Sequence, residues 1–80
     1  MKNDDLIRQV GLEIKRRRTA LGLTQEEFSD VSGLHRTYIS GIERGERNAT
    51  LDVIFQIARA LRCAPGHLFE GSQDDADTLP

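Results

Sequence analysis

Polar side chains suited to contacting a nucleic acid are concentrated in one short segment, residues 36–44. On a helix drawn at about 100° per residue, one side of this segment carries two arginines, two hydroxyls and a marginal glycine: Arg36, Thr37, Ser40, Arg44 and Gly41. Ile39 and Ile42 fall on the opposite side. Arginine can bond guanine O6 and N7 bidentately, and hydroxyls can bond bases or phosphates, while a glycine lets the helix lie near a groove wall. The segment therefore predicts a helix that presents a short, cationic, donor-rich face to a DNA duplex.

The residues before this segment predict a second short helix, joined to it by a tight turn. Thr24 and Glu27 stand in a capping-box pattern, in which each side chain satisfies the backbone amide of the other. The helix that starts there ends near Gly33, and Phe28 and Val31 are predicted to point inward. Because helices this short are not stable alone, packing must fix the angle between them. Two such helices form a helix-turn-helix, whose second helix enters the major groove of DNA.

Apolar periodicity predicts three further helices around this pair. An amphipathic helix covers residues 6–21, with Leu21 on its apolar stripe. Thr50 is the predicted N-cap of a fourth helix over residues 51–61, and residues 66–69 form a fifth helix of one turn. The sequence shows no strand-like alternation, so the predicted fold is a compact five-helix, all-α domain.

Charge separates this domain, residues 6–70, from the two ends of the chain. The whole chain has 11 Lys and Arg against 13 Asp and Glu, yet residues 6–69 hold ten basic and seven acidic residues, a net charge of +3. A mildly basic segment permits a nucleic-acid face. We expect residues 1–5 to be a flexible N-terminus. Residues 71–80 are polar and acidic with almost nothing to bury, so we expect them to form a disordered tail.

Composition argues against several other classes of protein. The apolar runs are far shorter than the roughly 20 residues that a membrane span requires, and no secretory signal is visible. The single cysteine cannot form an intramolecular disulfide or a cysteine-based zinc site, which favours a reducing, cytoplasmic location. We expect no metal site, cofactor or small-molecule ligand. A chain of 80 residues also leaves little room for an enzymatic pocket.

The spacing of these residues resembles the lambda Cro/repressor-type (Xre) helix-turn-helix family. The residues that carry the resemblance are Gly11, Ile14, Arg18, Gly22–Phe28, Ser32, Gly33 and Tyr38–Gly45. More narrowly, residues 34–44 together with Arg47 and Asn48 are similar to the controller proteins of restriction–modification systems. The resemblance covers residues 6–69 and implies a sequence-specific, DNA-binding transcriptional regulator that is not an enzyme.

The resemblance also implies roles for individual residues. Gln25 matches a position that binds a phosphate and braces the recognition helix, and Arg18 and Glu43 match a salt bridge between the first and third helices. Three residues match base-reading positions: Arg36, Thr37 and Ser40. Four match positions at or near the DNA backbone: Tyr38, Arg44, Arg47 and Asn48. His35, just before the third helix, is expected to start that helix or to contact a phosphate rather than to bind a metal.

The expected partners are double-stranded DNA and a second copy of the chain. A recognition helix this short reads few base pairs, so we expect a homodimer on a palindromic operator with half-sites about one helical turn, roughly 34 Å, apart. The fourth and fifth helices are expected to form the dimer surface. The resemblance to controller proteins implies control of the protein's own gene and of a linked endonuclease gene, with RNA polymerase as a candidate further partner.

Other interpretations of the same residues stay open at this point. The polar residues of the third helix are also compatible with an ordinary solvated surface. The domain can instead belong to an antitoxin or adaptor that docks a partner protein, which the acidic tail favours; a docking groove, however, would be apolar where this face is cationic. Ser29 and Arg17 depart from the family pattern, which predicts slightly looser packing, and Arg16 or Arg17 is a candidate for phosphate contact.

Overall fold

Four α-helices and a C-terminal 3-10 helix make up the computed structural model, which describes residues 3–72. The elements are α1 (Asn3–Ala20), α2 (Gln25–Ser32), α3 (Arg36–Glu43), α4 (Leu51–Leu61) and the 3-10 helix (Pro65–Ser72). No strand occurs within these residues, and the all-α prediction is confirmed. The predicted fifth helix is a 3-10 helix rather than an α-helix. None of the helices described is long and apolar enough to cross a membrane.

The helical structure reaches further towards both ends of the chain than the sequence predicts. α1 begins at Asn3, so it includes residues 3–5 of the segment expected to form a flexible N-terminus. Asp4 and Asp5 lie in its first turn, where negative charge interacts favourably with the helix dipole. Residues 71–72 belong to the 3-10 helix, and residues 73–80 of the expected tail lie outside the described part of the chain.

One apolar core receives side chains from all five elements. Its buried members are Val10, Ile14, Phe28, Ile39, Ile42, Ile54, Ile57, Ala58, Leu61 and Leu68. The prediction that Val31 points inward is wrong, because its side chain is 59% exposed. α2 instead buries Phe28 and Ser32, four residues apart, so its inward stripe passes to one side of Val31. Leu21 is also exposed, since it follows the end of α1 at Ala20.

Local capping determines where α2 and α4 begin. Thr24 Oγ1 accepts a hydrogen bond from the Glu27 amide at 3.1 Å, and the Thr24 amide donates to Glu27 Oε1 at 2.9 Å. The predicted capping box is therefore confirmed. The hydrogen bond from the Thr24 amide lowers the pKa of the Glu27 carboxyl. Thr50 caps α4 as predicted, with its hydroxyl accepting from the Val53 amide at 3.3 Å.

Three polar side chains hold the turn between α2 and α3. Gly33 ends α2 in the left-handed region, with φ of 77°. Ser29 Oγ donates to the Leu34 carbonyl oxygen at 2.5 Å, and Ser32 Oγ accepts from the Leu34 amide at 3.1 Å. From α4, Gln56 Nε2 donates to the Ser32 carbonyl oxygen at 2.7 Å. The Ser29 hydroxyl thus satisfies a carbonyl group of the turn, a bond that the alanine usual at this position in the family could not make.

α1 and α3 cross at close range where Gly11 meets the end of α3. A Cβ atom at Gly11 would lie 2.9 Å from the Glu43 carbonyl oxygen and closer still to that of Ile42. Just beyond α3, Gly45 packs against Arg8 of α1, with φ of 74°. This close contact with α1 fixes one side of α3, and it thereby determines which side faces outward.

Candidate nucleic-acid interface

A buried carboxylate, Glu43, links the end of α3 to α1 and α2. Arg18 Nε and Nη2 donate to its two oxygens at 2.7 and 2.9 Å, and the two side chains are only 8% and 2% exposed. Gln25 Nε2 donates to Glu43 Oε1 at 3.1 Å. The remaining Arg18 nitrogen, Nη1, donates to the Leu23 carbonyl oxygen at 2.7 Å. The hydrogen bonds to Glu43 raise the pKa of Arg18, and the network holds α3 at a fixed angle to α1 and α2.

The first turn of α3 presents its polar side chains to solvent. His35 is the N-cap, and its Nδ1 accepts a hydrogen bond from the Thr37 amide at 3.1 Å. The side chains of Arg36 and Thr37 are exposed, whereas Ile39 is buried on the other side of the helix. The start of α3 is therefore free to approach another molecule with a guanidinium and a hydroxyl.

The second turn of α3 places Ser40 and Arg44 in contact with each other. Arg44 Nη1 donates to Ser40 Oγ, while Nε and Nη2 donate to Glu46 Oε2 and Oε1, both at 3.1 Å. The Arg44–Glu46 pair is exposed. The hydrogen bonds between these two side chains lower the pKa of Glu46 and raise that of Arg44. The sequence prediction included Ser40 and Arg44 but missed Glu46. A carboxylate just after the helix-ending Gly45 is the signal that identifies it.

Arg47 lies beside α3, between an aromatic ring and a glycine. Its guanidinium carbon is 5.7 Å from the centroid of the Tyr38 ring, within the range of a cation–π interaction. A Cβ at Gly41 would meet Arg47 Cγ and Cδ at 3.1 Å. Gly41 is buried and so makes room for Arg47 rather than for a groove wall, which corrects its predicted role. Asn48 is exposed in the same loop.

Two arginines of α1, Arg16 and Arg17, are paired with Glu13 of the same helix. Arg16 Nε donates to Glu13 Oε1 at 3.1 Å, its Nη2 donates to Glu13 Oε2, and Arg17 Nε donates to the same oxygen at 2.7 Å. The hydrogen bond from Arg16, followed by that from Arg17, lowers the pKa of Glu13. Both guanidiniums are therefore turned to Glu13, and a phosphate contact by Arg16 or Arg17 stays a prediction.

Together, α3 and the loop after it form a polar, cationic surface. Its members are Arg36, Thr37, Ser40, Arg44, Arg47 and Asn48. Guanidinium, hydroxyl and amide groups are the donors that bind phosphates and base edges in duplex DNA. Within residues 3–72, no three His, Cys, Asp or Glu side chains are grouped so as to hold a metal ion.

Comparison with known families identifies the fold that carries this surface. A family model described as "Helix-turn-helix" matches residues 14–68, which include α2, α3 and the buried Arg18–Glu43 pair. The chain belongs to the helix-turn-helix family. This match confirms the family resemblance that the sequence analysis found.

This helix-turn-helix chain is also similar to restriction–modification controller proteins. It is 54% identical to Control protein C.SmaI of Serratia marcescens over 39 residues, which cover 49% of this chain and 46% of that protein. The aligned segment thus spans less than half the length of that relative.

Solved controller structures match a larger part of the helix-turn-helix chain. C.AhdI of Aeromonas hydrophila is 45% identical with a TM-score of 0.76, over 81% of this chain and 97% of that one. C.Esp1396I was solved as a tetramer in complex with its natural 35-base-pair operator. It is 38% identical with a TM-score of 0.77, over 88% of this chain and 92% of that one.

Proposed function

We propose that this protein is a sequence-specific, DNA-binding transcriptional regulator that inserts α3 into the major groove. The observation that carries the proposal is the orientation of α3. Its inner side is fixed by Ile39 and by the buried Glu43, and its outer side presents Arg36 and Thr37 to solvent. A short helix held in this way can approach the base edges without reorganising the core. The N-terminal residue of α2, Gln25, both braces α3 and is the proposed partner of a phosphate.

The proposed regulator acts as a homodimer on a palindromic operator. Large apolar side chains remain exposed on α4 and the 3-10 helix, where Leu51 is 75% and Phe55 is 54% exposed and Phe69 is also exposed. A groove between α1 and α4 continues this apolar surface past Leu6 and Ile7. A second copy of the chain would cover these side chains and place two recognition helices about 34 Å apart.

The similarity to controller proteins supports a narrower role in a restriction–modification system. The proposed protein regulates its own gene and a linked endonuclease gene, and it acts in the cytoplasm with RNA polymerase as a further candidate partner. The proposal assigns it no enzymatic activity, metal, cofactor or small-molecule ligand. Its DNA-contact residues are Gln25, His35, Arg36, Thr37, Tyr38, Ser40, Arg44, Arg47 and Asn48.

Selection of bound duplexes from a random DNA pool tests the proposed specificity. We expect enrichment of a palindromic sequence, with two protomers bound per palindrome. Failure to enrich any sequence would contradict the proposal and favour an antitoxin or adaptor that docks a protein. Sedimentation of Phe55→Ser tests the dimer surface, since this variant should shift the protein towards monomer. Val31→Ser, which removes an equally exposed apolar side chain from α2, is the matched control.

A further inference from the structure

The proposed DNA surface contains an acidic side chain that is bound to one of its own arginines. Glu46 accepts two hydrogen bonds from Arg44, through Nε and Nη2, and Ser40 accepts the bond from the third nitrogen, Nη1. All three nitrogens of the Arg44 guanidinium therefore have partners within the protein. A phosphate that binds the edge formed by Nε and Nη2 must first displace Glu46.

The backbone that carries Glu46 is held by the end of α3. The Gly45 amide donates to the Ile42 carbonyl oxygen at 3.0 Å, and the Glu46 amide donates to that of Gly41 at 2.9 Å. These two bonds and the left-handed Gly45 form a Schellman motif. Gly45 also packs on Arg8 of α1. The turn thus presents the Glu46 carboxylate next to Arg44 at a position that the fold determines.

A carboxylate and a phosphate bind a guanidinium in the same way, through two parallel hydrogen bonds. The same pair of N–H groups cannot serve both at once. The Arg44–Glu46 pair is more than half exposed, at 56% and 60%, so solvent screens it and DNA can displace it.

We propose that Glu46 is an intramolecular competitor for DNA phosphates at Arg44. It occupies the guanidinium in the free protein, and it lowers both the affinity for any duplex and the salt dependence of binding. This inference rests on the proposed DNA-binding function. Non-specific binding depends almost entirely on phosphate contacts, so the effect is measured most directly on a mixed-sequence duplex that lacks the operator.

The test compares Glu46→Gln with the wild-type protein on that duplex across a salt titration. The neutral amide keeps the shape of the side chain and removes its charge. We expect the affinity to rise about two- to fivefold per bound protomer, the range of a weak exposed ion pair. The slope of log affinity against log salt should steepen by up to about 0.9 per protomer, as one additional phosphate is neutralised. Thermal melting of each variant checks that the fold is intact.

Two further variants separate this mechanism from a general change in charge. Asp30→Asn adds the same unit of charge on the exposed side of α2 and should leave the salt slope unchanged. In an Arg44→Ala background, Glu46→Gln should have no effect, because its proposed target is gone. An equal gain in that background would overturn the proposal. Unchanged or weaker binding by Glu46→Gln, measured on a duplex that the wild-type protein binds, would also overturn it. Either result would leave the proposed DNA-binding function intact. If the wild-type protein binds no duplex at low salt, both proposals fail together.

Discussion

Arg18 and Glu43 lie 25 residues apart in the sequence, yet their side chains form two hydrogen bonds of 2.7 and 2.9 Å in the interior. Burying two charges is costly unless their remaining hydrogen-bonding groups are also satisfied. Here Leu23 accepts from the guanidinium, and Gln25 donates to the carboxylate. The pair therefore joins α1, α2 and α3 at one point, directly behind the surface proposed to contact DNA.

Removing either partner of this pair should destabilise the protein strongly. We expect Arg18→Met and Glu43→Leu each to lower the free energy of unfolding by about 3 kcal/mol, since each leaves a buried charge without its partner. The double variant should lose less than the sum of the two, and chemical unfolding measures all three. Arg36→Met, which removes an exposed guanidinium, should leave stability nearly unchanged. Additive losses would contradict a direct interaction.

Arg36 should contribute to both the affinity and the sequence preference of DNA binding. Its side chain is exposed in the first turn of α3, where a guanidinium can reach a guanine edge. We expect Arg36→Ala to weaken operator binding by about 1–3 kcal/mol per half-site and to relax selection at one base position. Arg59→Ala, an exposed arginine on α4, is the control for loss of charge. Wild-type affinity and selectivity in Arg36→Ala would remove Arg36 from the base-reading set.

Gly11 should be intolerant of a side chain. A Cβ at this position would enter the space occupied by the Ile42 and Glu43 carbonyl groups, which belong to backbone and cannot rotate away. We expect Gly11→Ala to lower the free energy of unfolding by about 1–3 kcal/mol or more, the range for an overpacked core. Gly66→Ala is the matched control, since a Cβ there meets nothing within 4 Å. Equal melting temperatures for the two variants would show that α1 and α3 do not cross this closely.

The Glu13 carboxylate should make stability depend on pH in the acid range. Hydrogen bonds from Arg16 and Arg17 hold its pKa below the ordinary value of 4.5. A carboxyl whose pKa is lowered by folding stabilises the protein above its unfolded pKa, and this contribution is lost as the pH falls through the folded value. We expect the stability advantage of wild type over Glu13→Gln to be constant above pH 4.5 and to shrink below it. Urea unfolding at a series of pH values measures this difference in the free energy of unfolding. A difference that grew towards acid pH would contradict the prediction.

The features that short-range interactions determine were predictable from the sequence. The capping box at Thr24, the N-cap at Thr50 and the helix end at Gly33 each depend on residues within four positions of one another. The amphipathic spacing of Ile39 and Ile42 likewise placed one side of α3 in the core and left Arg36 outside. Helical geometry relates such neighbours directly, so these predictions needed no knowledge of how the helices pack.

The tertiary structure decided the features that depend on helix crossing and loop path. The exposure of Val31 and the position of Gly41 beneath Arg47 both differ from the sequence-based expectation. For short helices, several apolar stripes are compatible with the same sequence, and contacts with other elements select one of them.

The surface proposed to bind DNA likewise combines features that the sequence determined with features that only the tertiary structure decided. The sequence by itself determined which donors are available there, because residue type and helical spacing place Arg36, Ser40 and Arg44 on one side of α3. Only the folded chain decided that the loop beyond Gly45 lays Arg47 across Tyr38. The path of that loop depends on its close packing against α1, a contact between residues far apart in the chain that no local pattern specifies.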